Sequence, residues 1–126
     1  MNRDIIENLL KKIQEIKICV YGDFCLDAYW MVDPRKSEIS VETGLQAESV
    51  AKHSYSLGGA SNVVANLAAL RPKQIKIFGA VGDDIYGREM TAQLNKLGVD
   101  TSGLVLQQDE FSTYVFCKRI LASVIA

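Results

Sequence analysis

A pair of glycines followed by polar side chains, GGASN at residues 58–62, is the segment best suited to bind a small ligand. It stands at the predicted start of a helix, where glycine lets a ligand approach the backbone and the helix N-terminus offers N–H groups without intrahelical partners. Asn62 adds a donor and an acceptor for ligand hydroxyl groups. A glycine-rich turn that merely starts the helix is the alternative, because glycine before a helix is common.

Two aspartates lie in a second motif, GDFCLD at residues 22–27. Asp23 and Asp27 follow the apolar run KICVY, which predicts a strand buried within a sheet. If that sheet is parallel, both carboxylates lie near its carboxyl edge and can accept hydrogen bonds from ligand hydroxyls. Solvated aspartates in a surface loop are the alternative.

A third motif, VGDD at residues 81–84, superficially suggests a metal or phosphate loop. Two aspartates before a predicted helix would repel an anion, and aspartate is strongly preferred at the N-cap, so we predict that Asp83 or Asp84 caps the helix. The sequence contains neither GxGxxG after a strand nor GxxxxGK[ST], and the single histidine, His53, has no clustered ligand beside it. We therefore predict no metal site.

The elements that carry these motifs have the rhythm of a parallel α/β sheet. The predicted order is an amphipathic helix over 2–16, a strand over 17–21, a helix from Gly58 that Pro72 ends, a strand over 74–80, and a helix that runs to about Leu97 and stops at Gly98. The segment 28–56 is too long for an ordinary connection and predicts short strands that form a flap. Residues 104–106 and 113–121 are rich in strand-forming residues.

Composition restricts the class of protein and of partner. The chain has 126 residues, of which 48% are hydrophobic and 23% charged, enough for one small domain with a core. Its formal charge of -1 favours neither nucleic acid nor an anionic membrane, and no apolar run approaches the roughly 20 residues that span a bilayer. The three cysteines, Cys19, Cys25 and Cys117, lack CxxC spacing and predict reduced, buried side chains in a cytoplasmic protein.

The order of these motifs resembles the opening of the ribokinase-like (PfkB-type) carbohydrate kinases. GDFCLD, the flap, GGASNVVANLAAL and FGAVGDDIYGREMTAQLNKLGVDT follow one another as in that family, over about residues 18–119. The segments GDFCLDAYW and TYVFCKRILA are most similar to the corresponding segments of the kinases that act on heptose 7-phosphate. The resemblance implies a three-layer α/β/α fold with a small β lid, incomplete in this chain, whose lid segments are 28–57 and 111–122.

The resemblance also implies roles for individual residues. Asp27 would bind sugar hydroxyls, Gly58 and Gly59 would line the sugar through their backbone, Asn62 would contact it, and Asp23 would lie nearby. Lys118 and Arg119 would approach a substrate phosphate, for which we favour Arg119 because its guanidinium is a bidentate donor. A solvated strand face is the alternative for both cations.

Phosphoryl transfer in that family uses ATP, Mg²⁺ and an aspartate base in a GAGD-like motif. No such motif occurs in this sequence, so we expect the base beyond Ala126 and no catalysis by the chain alone. Residues 121–126 also depart from the family pattern. We expect a homo-oligomer that forms through the lid or through exposed strand edges. A non-catalytic sugar-binding or assembly module is the alternative function, and a nucleotide-binding Rossmann domain is a third.

Overall fold

Three parallel strands form the sheet around which the first part of the molecule is built. The structure, a computed structural model, describes residues 2–108 and 110–121. Its helices are α1 (Arg3–Ile13), α2 (Gly59–Ala69) and α3 (Ile85–Lys96), with a single 3-10 turn at Pro34–Lys36. Its strands are β1 (Lys17–Tyr21), β2 (Phe24–Val32), β3 (Glu38–Ile39), β4 (Gln46–Ala47), β5 (Val50–Gly58), β6 (Gln74–Gly82), β7 (Asp100–Gln107) and β8 (Tyr114–Leu121).

The parallel sheet has the strand order β1-β6-β7. β1 pairs with β6 from Lys17 opposite Gln74 to Tyr21 opposite Phe78, and β6 pairs with β7 in the same parallel sense. The carboxyl ends of the three strands therefore meet at one edge. The predicted parallel α/β architecture is confirmed.

The helices α2 and α3 end and begin where the sequence indicates. Asp84 is the N-cap of α3, where its side chain accepts a hydrogen bond from the Gly87 N–H, and Gly98 follows the helix with φ of 76°. The hydroxyl of the buried Ser61 donates to the sulfur of the buried Met90 at 3.2 Å, which joins α2 to α3. The core of this part is built from apolar side chains: Phe24, Leu26, Val64, Ile75, Ile77, Val81, Met90, Leu94 and Val99.

β1 is exposed, although we expected it to be buried within the sheet. It lies at an edge of the described sheet, and Tyr21 at its end is 86% exposed. Its burial alternates between exposed and intermediate, and none of the residues of α1 is buried. Consequently Cys19 is exposed, and so is Cys117 on the edge strand β8, whereas Cys25 is buried as predicted. The buried location expected for Cys19 and Cys117 is wrong.

The chain divides into two compact units. The first comprises residues up to Leu26 together with Leu57–Val115, and the second comprises Asp27–Ser56 with the described residues from 116 onward. The chain enters the second unit along β2, returns along β5 and enters it again along β8. No helix within 2–108 or 110–121 is both long and apolar enough to cross a membrane.

The second unit is made of strands and turns. β5, β2 and β8 are neighbours in that order in one sheet, and β3 and β4 form a two-stranded antiparallel pair. The expected flap, 28–56, contains the short strands β3 and β4 together with parts of two nine-residue strands, β2 and β5, which begin or end outside it. Its assignment as a lid stays a prediction.

Candidate functional site

In the first unit, the loop that leaves β1 lines an open cleft at the carboxyl edge of the parallel sheet. The cleft has a volume of about 400 Å³. Open α/β sheets bind ligands at this edge, outside the carboxyl ends of the strands. Asp23 belongs to the lining and is exposed. The full lining consists of Tyr21, Gly22, Asp23, Phe78, Gly79, Ala80, Gly103, Val105 and Gln107.

The backbone joins the two sequence motifs of this unit. The Ala60 N–H donates to the Asp23 carbonyl at 3.0 Å, and Phe24 forms an isolated antiparallel bridge with Gly59. The start of α2 is therefore held against the loop that follows β1. The sequence placed only the GDFCLD motif near the sheet edge, and the structure holds the Gly58–Gly59 turn against Asp23 of that motif.

Gly59 meets two independent requirements at this junction. Its φ of 51° lies in the left-handed region, which glycine adopts without the steric cost that a side chain imposes. A Cβ atom at Gly59 would lie 2.8 Å from the Asp23 carbonyl oxygen and 3.0 Å from the Cys25 sulfur. The backbone of α2 can approach the loop this closely only because residue 59 has no side chain.

The first turn of α2 carries Asn62. Gly58 is the N-cap and, having no side chain, makes no side-chain capping bond. Asn62 is exposed, and its backbone carbonyl accepts a hydrogen bond from the side-chain nitrogen of Asn66 at 3.0 Å. An exposed amide in the first helical turn can donate to and accept from hydroxyl groups of a ligand.

In the second unit, Asp27 lies on β2 and not in a loop. Its side chain is 21% exposed, and Oδ2 lies 2.9 Å from the Lys118 ammonium on β8. Lys118 also donates to the Tyr29 hydroxyl at 3.2 Å and lies 4.9 Å from the centre of the Tyr29 ring. The hydrogen bond to Asp27, followed by that to Tyr29, raises the pKa of Lys118 above its usual value.

Arg119, the cation that we favoured for phosphate binding, contacts a different residue. Its guanidinium forms an ion pair with Glu48 at 2.5 Å. Because successive residues of a strand point to opposite faces, Arg119 lies on the face of β8 opposite Lys118. The structure therefore does not bring Arg119 together with Asp27.

The sequence did not reveal the role of Thr113, which completes a network around Asp84 in the first unit. Asp84 accepts hydrogen bonds from the Gly87 N–H at 2.7 Å and from the Thr113 N–H at 2.8 Å. The buried Gly82 N–H donates to the Thr113 hydroxyl at 3.0 Å. Burial alone would raise the pKa of Asp84, but the hydrogen bonds from Thr113 and Gly87 outweigh burial and lower it. The motif thus caps α3, as predicted, and also fixes the start of β8.

Across residues 2–108 and 110–121, no group of three or more His, Cys, Asp and Glu side chains could hold a metal ion.

Comparison with known proteins identifies the family. A family model described as pfkB family carbohydrate kinase matches residues 15–118, which is most of the chain. The chain belongs to the pfkB family of carbohydrate kinases. The matched residues include the GDFCLD and GGASN motifs and all three parallel strands, so the resemblance found in the sequence is confirmed.

Relatives of this pfkB-family chain agree with that membership. It is 37% identical over 98 residues to the bifunctional protein HldE of Helicobacter pylori (strain J99 / ATCC 700824), covering 77% of this chain and 20% of that protein. It is 36% identical over 106 residues to the bifunctional protein HldE of Wolinella succinogenes, covering 84% of this chain and 21% of that protein. The chain therefore spans about a fifth of the length of these curated relatives.

Solved structures show the same fold. A ribokinase from Cryptococcus neoformans in complex with ADP matches with a TM-score of 0.61 and 22% identity, over 85% of this chain and 31% of that one. The aminoimidazole riboside kinase of Salmonella enterica, complexed with aminoimidazole riboside and an ATP analogue, matches with a TM-score of 0.59 and 24% identity, over 81% of this chain and 28% of that one. The ribokinase-like fold expected for this pfkB-family chain is confirmed.

Proposed function

We propose that this chain supplies sugar-binding residues to an ATP-dependent carbohydrate kinase. The observation that carries the proposal is the junction between the two motifs, where the Ala60 N–H donates to the Asp23 carbonyl beside the cleft at the carboxyl edge of the parallel strands. Family membership supports the reaction class, and this junction supports the location of the ligand.

Each proposed sugar contact follows from the chemistry of the group. Asp27 accepts hydrogen bonds from sugar hydroxyls through its carboxylate. Gly58, which is buried, and Gly59, which is exposed, are proposed to line the sugar through their backbone, and Asn62 both donates and accepts. Asp23 is proposed as a neighbour of the sugar. The phosphate contact predicted for Arg119 stays a prediction, because its guanidinium is bound by Glu48.

The proposed reaction is transfer of the γ-phosphate of ATP, with Mg²⁺, to a hydroxyl of a sugar or sugar phosphate. The resemblance of GDFCLDAYW to kinases of heptose 7-phosphate makes that compound the first candidate substrate. Phosphoryl transfer needs a held γ-phosphate, charge stabilisation and a positioned hydroxyl, and these 126 residues supply groups only for the last. We therefore propose that ATP turnover requires further residues. We also propose, as expected from the sequence, that the complete enzyme acts in the cytoplasm.

Isothermal titration calorimetry tests the sugar site directly. Heptose 7-phosphate, ribose, fructose and fructose phosphates are titrated into the chain at millimolar concentration, and we expect heat from at least one of them. Asp27→Asn and Asn62→Ala should reduce that heat. Asp83→Asn, an exposed aspartate paired with Arg88, and Asn8→Ala on the exposed face of α1 are the matched controls. Absence of heat with every sugar would refute the proposal.

A second titration separates sugar binding from nucleotide binding. ATP and NAD are added under the same conditions, and we expect weak heat or none because the sequence has no Walker-type or dinucleotide-binding glycine motif. Tight binding of either nucleotide in the absence of sugar binding would replace this proposal with a nucleotide-binding one. Sedimentation of the same samples tests the proposed homo-oligomer.

A further inference from the structure

Lys118 stands out because it contacts the aspartate to which the proposed function assigns the sugar hydroxyls. Its ammonium lies 2.9 Å from Oδ2 of Asp27 and 3.2 Å from the Tyr29 hydroxyl, and all three residues belong to the second unit. The side chain of Lys118 is 45% exposed and that of Asp27 is 21% exposed. The pair is therefore accessible from solvent while the carboxylate is largely shielded.

Strand geometry explains why Lys118 makes these contacts. Asp27 and Tyr29 are two residues apart on β2 and so share one face of the strand, and β2 and β8 are neighbours. Tyr29 contributes its hydroxyl, 3.2 Å from the ammonium, and the centre of its ring lies 4.9 Å away. Asp27 and Tyr29 on β2 thus fix the position of the flexible Lys118 side chain on β8.

We propose that Lys118 is a positioning residue for sugar binding, an inference that rests on the proposed function. Lys118 holds Oδ2 of Asp27 at 2.9 Å, which restrains rotation of the carboxylate. The described residues form no other hydrogen bond to this carboxylate, so Oδ1 remains to accept from a sugar hydroxyl. Lys118 acts through Asp27, and Tyr29 keeps the ammonium in place.

Loss of a charged hydrogen bond of this kind should change the free energy of sugar binding by a measurable amount. An aspartate that is free to rotate must be ordered when the ligand binds, whereas one already held by an ammonium is preorganised. We expect Lys118→Met to raise the dissociation constant of the sugar about tenfold, the change that corresponds to loss of one charge-assisted hydrogen bond. Lys118→Arg keeps the positive charge and the donors, so it should restore most of the affinity.

The deciding experiment is a double-mutant cycle on sugar affinity, measured by calorimetry with whichever sugar of the first titration binds the wild-type chain. Lys118→Met, Asp27→Asn and the double variant are compared, with Lys118→Gln as a second neutral variant in case the methionine variant does not fold. Lys52→Met on β5, an exposed lysine in the same sheet, is the matched control. Circular dichroism confirms that each variant is folded.

The outcomes separate this inference from the proposed function. Loss of affinity in Lys118→Met, recovery in Lys118→Arg, and no further loss when Asp27→Asn is already present would support positioning through Asp27. An equal further loss in the Asp27→Asn background would mean that Lys118 contacts the sugar itself, and would overturn the inference. Wild-type affinity in Lys118→Met would overturn it while leaving the proposed function intact. Absence of sugar binding by the wild-type chain would overturn both.

Discussion

Replacing Asp84 by alanine removes two hydrogen bonds at once, because this carboxylate accepts from the N–H of Gly87 at 2.7 Å and from the N–H of Thr113 at 2.8 Å. Loss of an N-cap side chain costs about 1 kcal/mol of stability. Leaving the Thr113 N–H without its partner costs about a further 1 to 3 kcal/mol. We therefore expect Asp84→Ala to lower the free energy of unfolding by about 2 to 4 kcal/mol.

Urea unfolding followed by far-ultraviolet circular dichroism measures this change. The neighbouring Asp83→Ala is the matched control, since Asp83 forms only an exposed ion pair with Arg88, and such pairs contribute about 0 to 1 kcal/mol. A shift for Asp84→Ala no larger than that for Asp83→Ala would refute the two-bond account. It would mean that Asp84 does not hold the start of β8.

Three further predictions follow from contacts described above. Hydrogen bonds lower the pKa of Asp84 in the folded state. The stability that the ionised Asp84 contributes is therefore complete above the usual aspartate pKa and is lost as pH falls through the lower folded-state value. In urea unfolding at strongly acidic pH, wild type and Asp84→Asn should converge in stability. Gly59→Ala should destabilise more than Gly98→Ala in thermal unfolding, since both have positive φ but only the Cβ at Gly59 would meet other atoms; equal losses would contradict the contact argument. If Arg119 binds a substrate phosphate, Arg119→Met should weaken a sugar phosphate more than the same unphosphorylated sugar in paired titrations; equal effects on both would mean that Arg119 serves only its ion pair with Glu48.

Local rules predicted the elements around the parallel sheet. The apolar run at β1 and the aspartate and glycine that bound α3 act on the backbone within a few residues, so they can be recognised without knowledge of the fold. The position of the glycine pair could be predicted for the same reason. The contact between Ala60 and Asp23 could not, because it depends on how two distant segments approach one another.

The sequence could not show which of Lys118 and Arg119 lies beside Asp27. Adjacent residues on a strand face opposite ways, so a shift of one residue in strand pairing would exchange their roles. The chemistry of guanidinium favoured Arg119 for a phosphate contact, which stays a prediction, and strand pairing places Lys118 beside Asp27 and Arg119 beside Glu48. The exposure of Cys19 could not be predicted for a related reason, because an apolar run does not show whether its strand lies inside a sheet or at the edge.

The parallel pairing of β1 with β6 has a consequence for how the chain folds as it is synthesised. The two strands are neighbours in space, but α2 and the segment Asp27–Ser56 of the second unit lie between them in sequence. Pairing across so long a segment is costly in loop-closure entropy and is intrinsically slow. During synthesis β1 has no strand to pair with until β6 has been made. Early folding intermediates therefore expose an unpaired apolar strand that other chains or chaperones can bind.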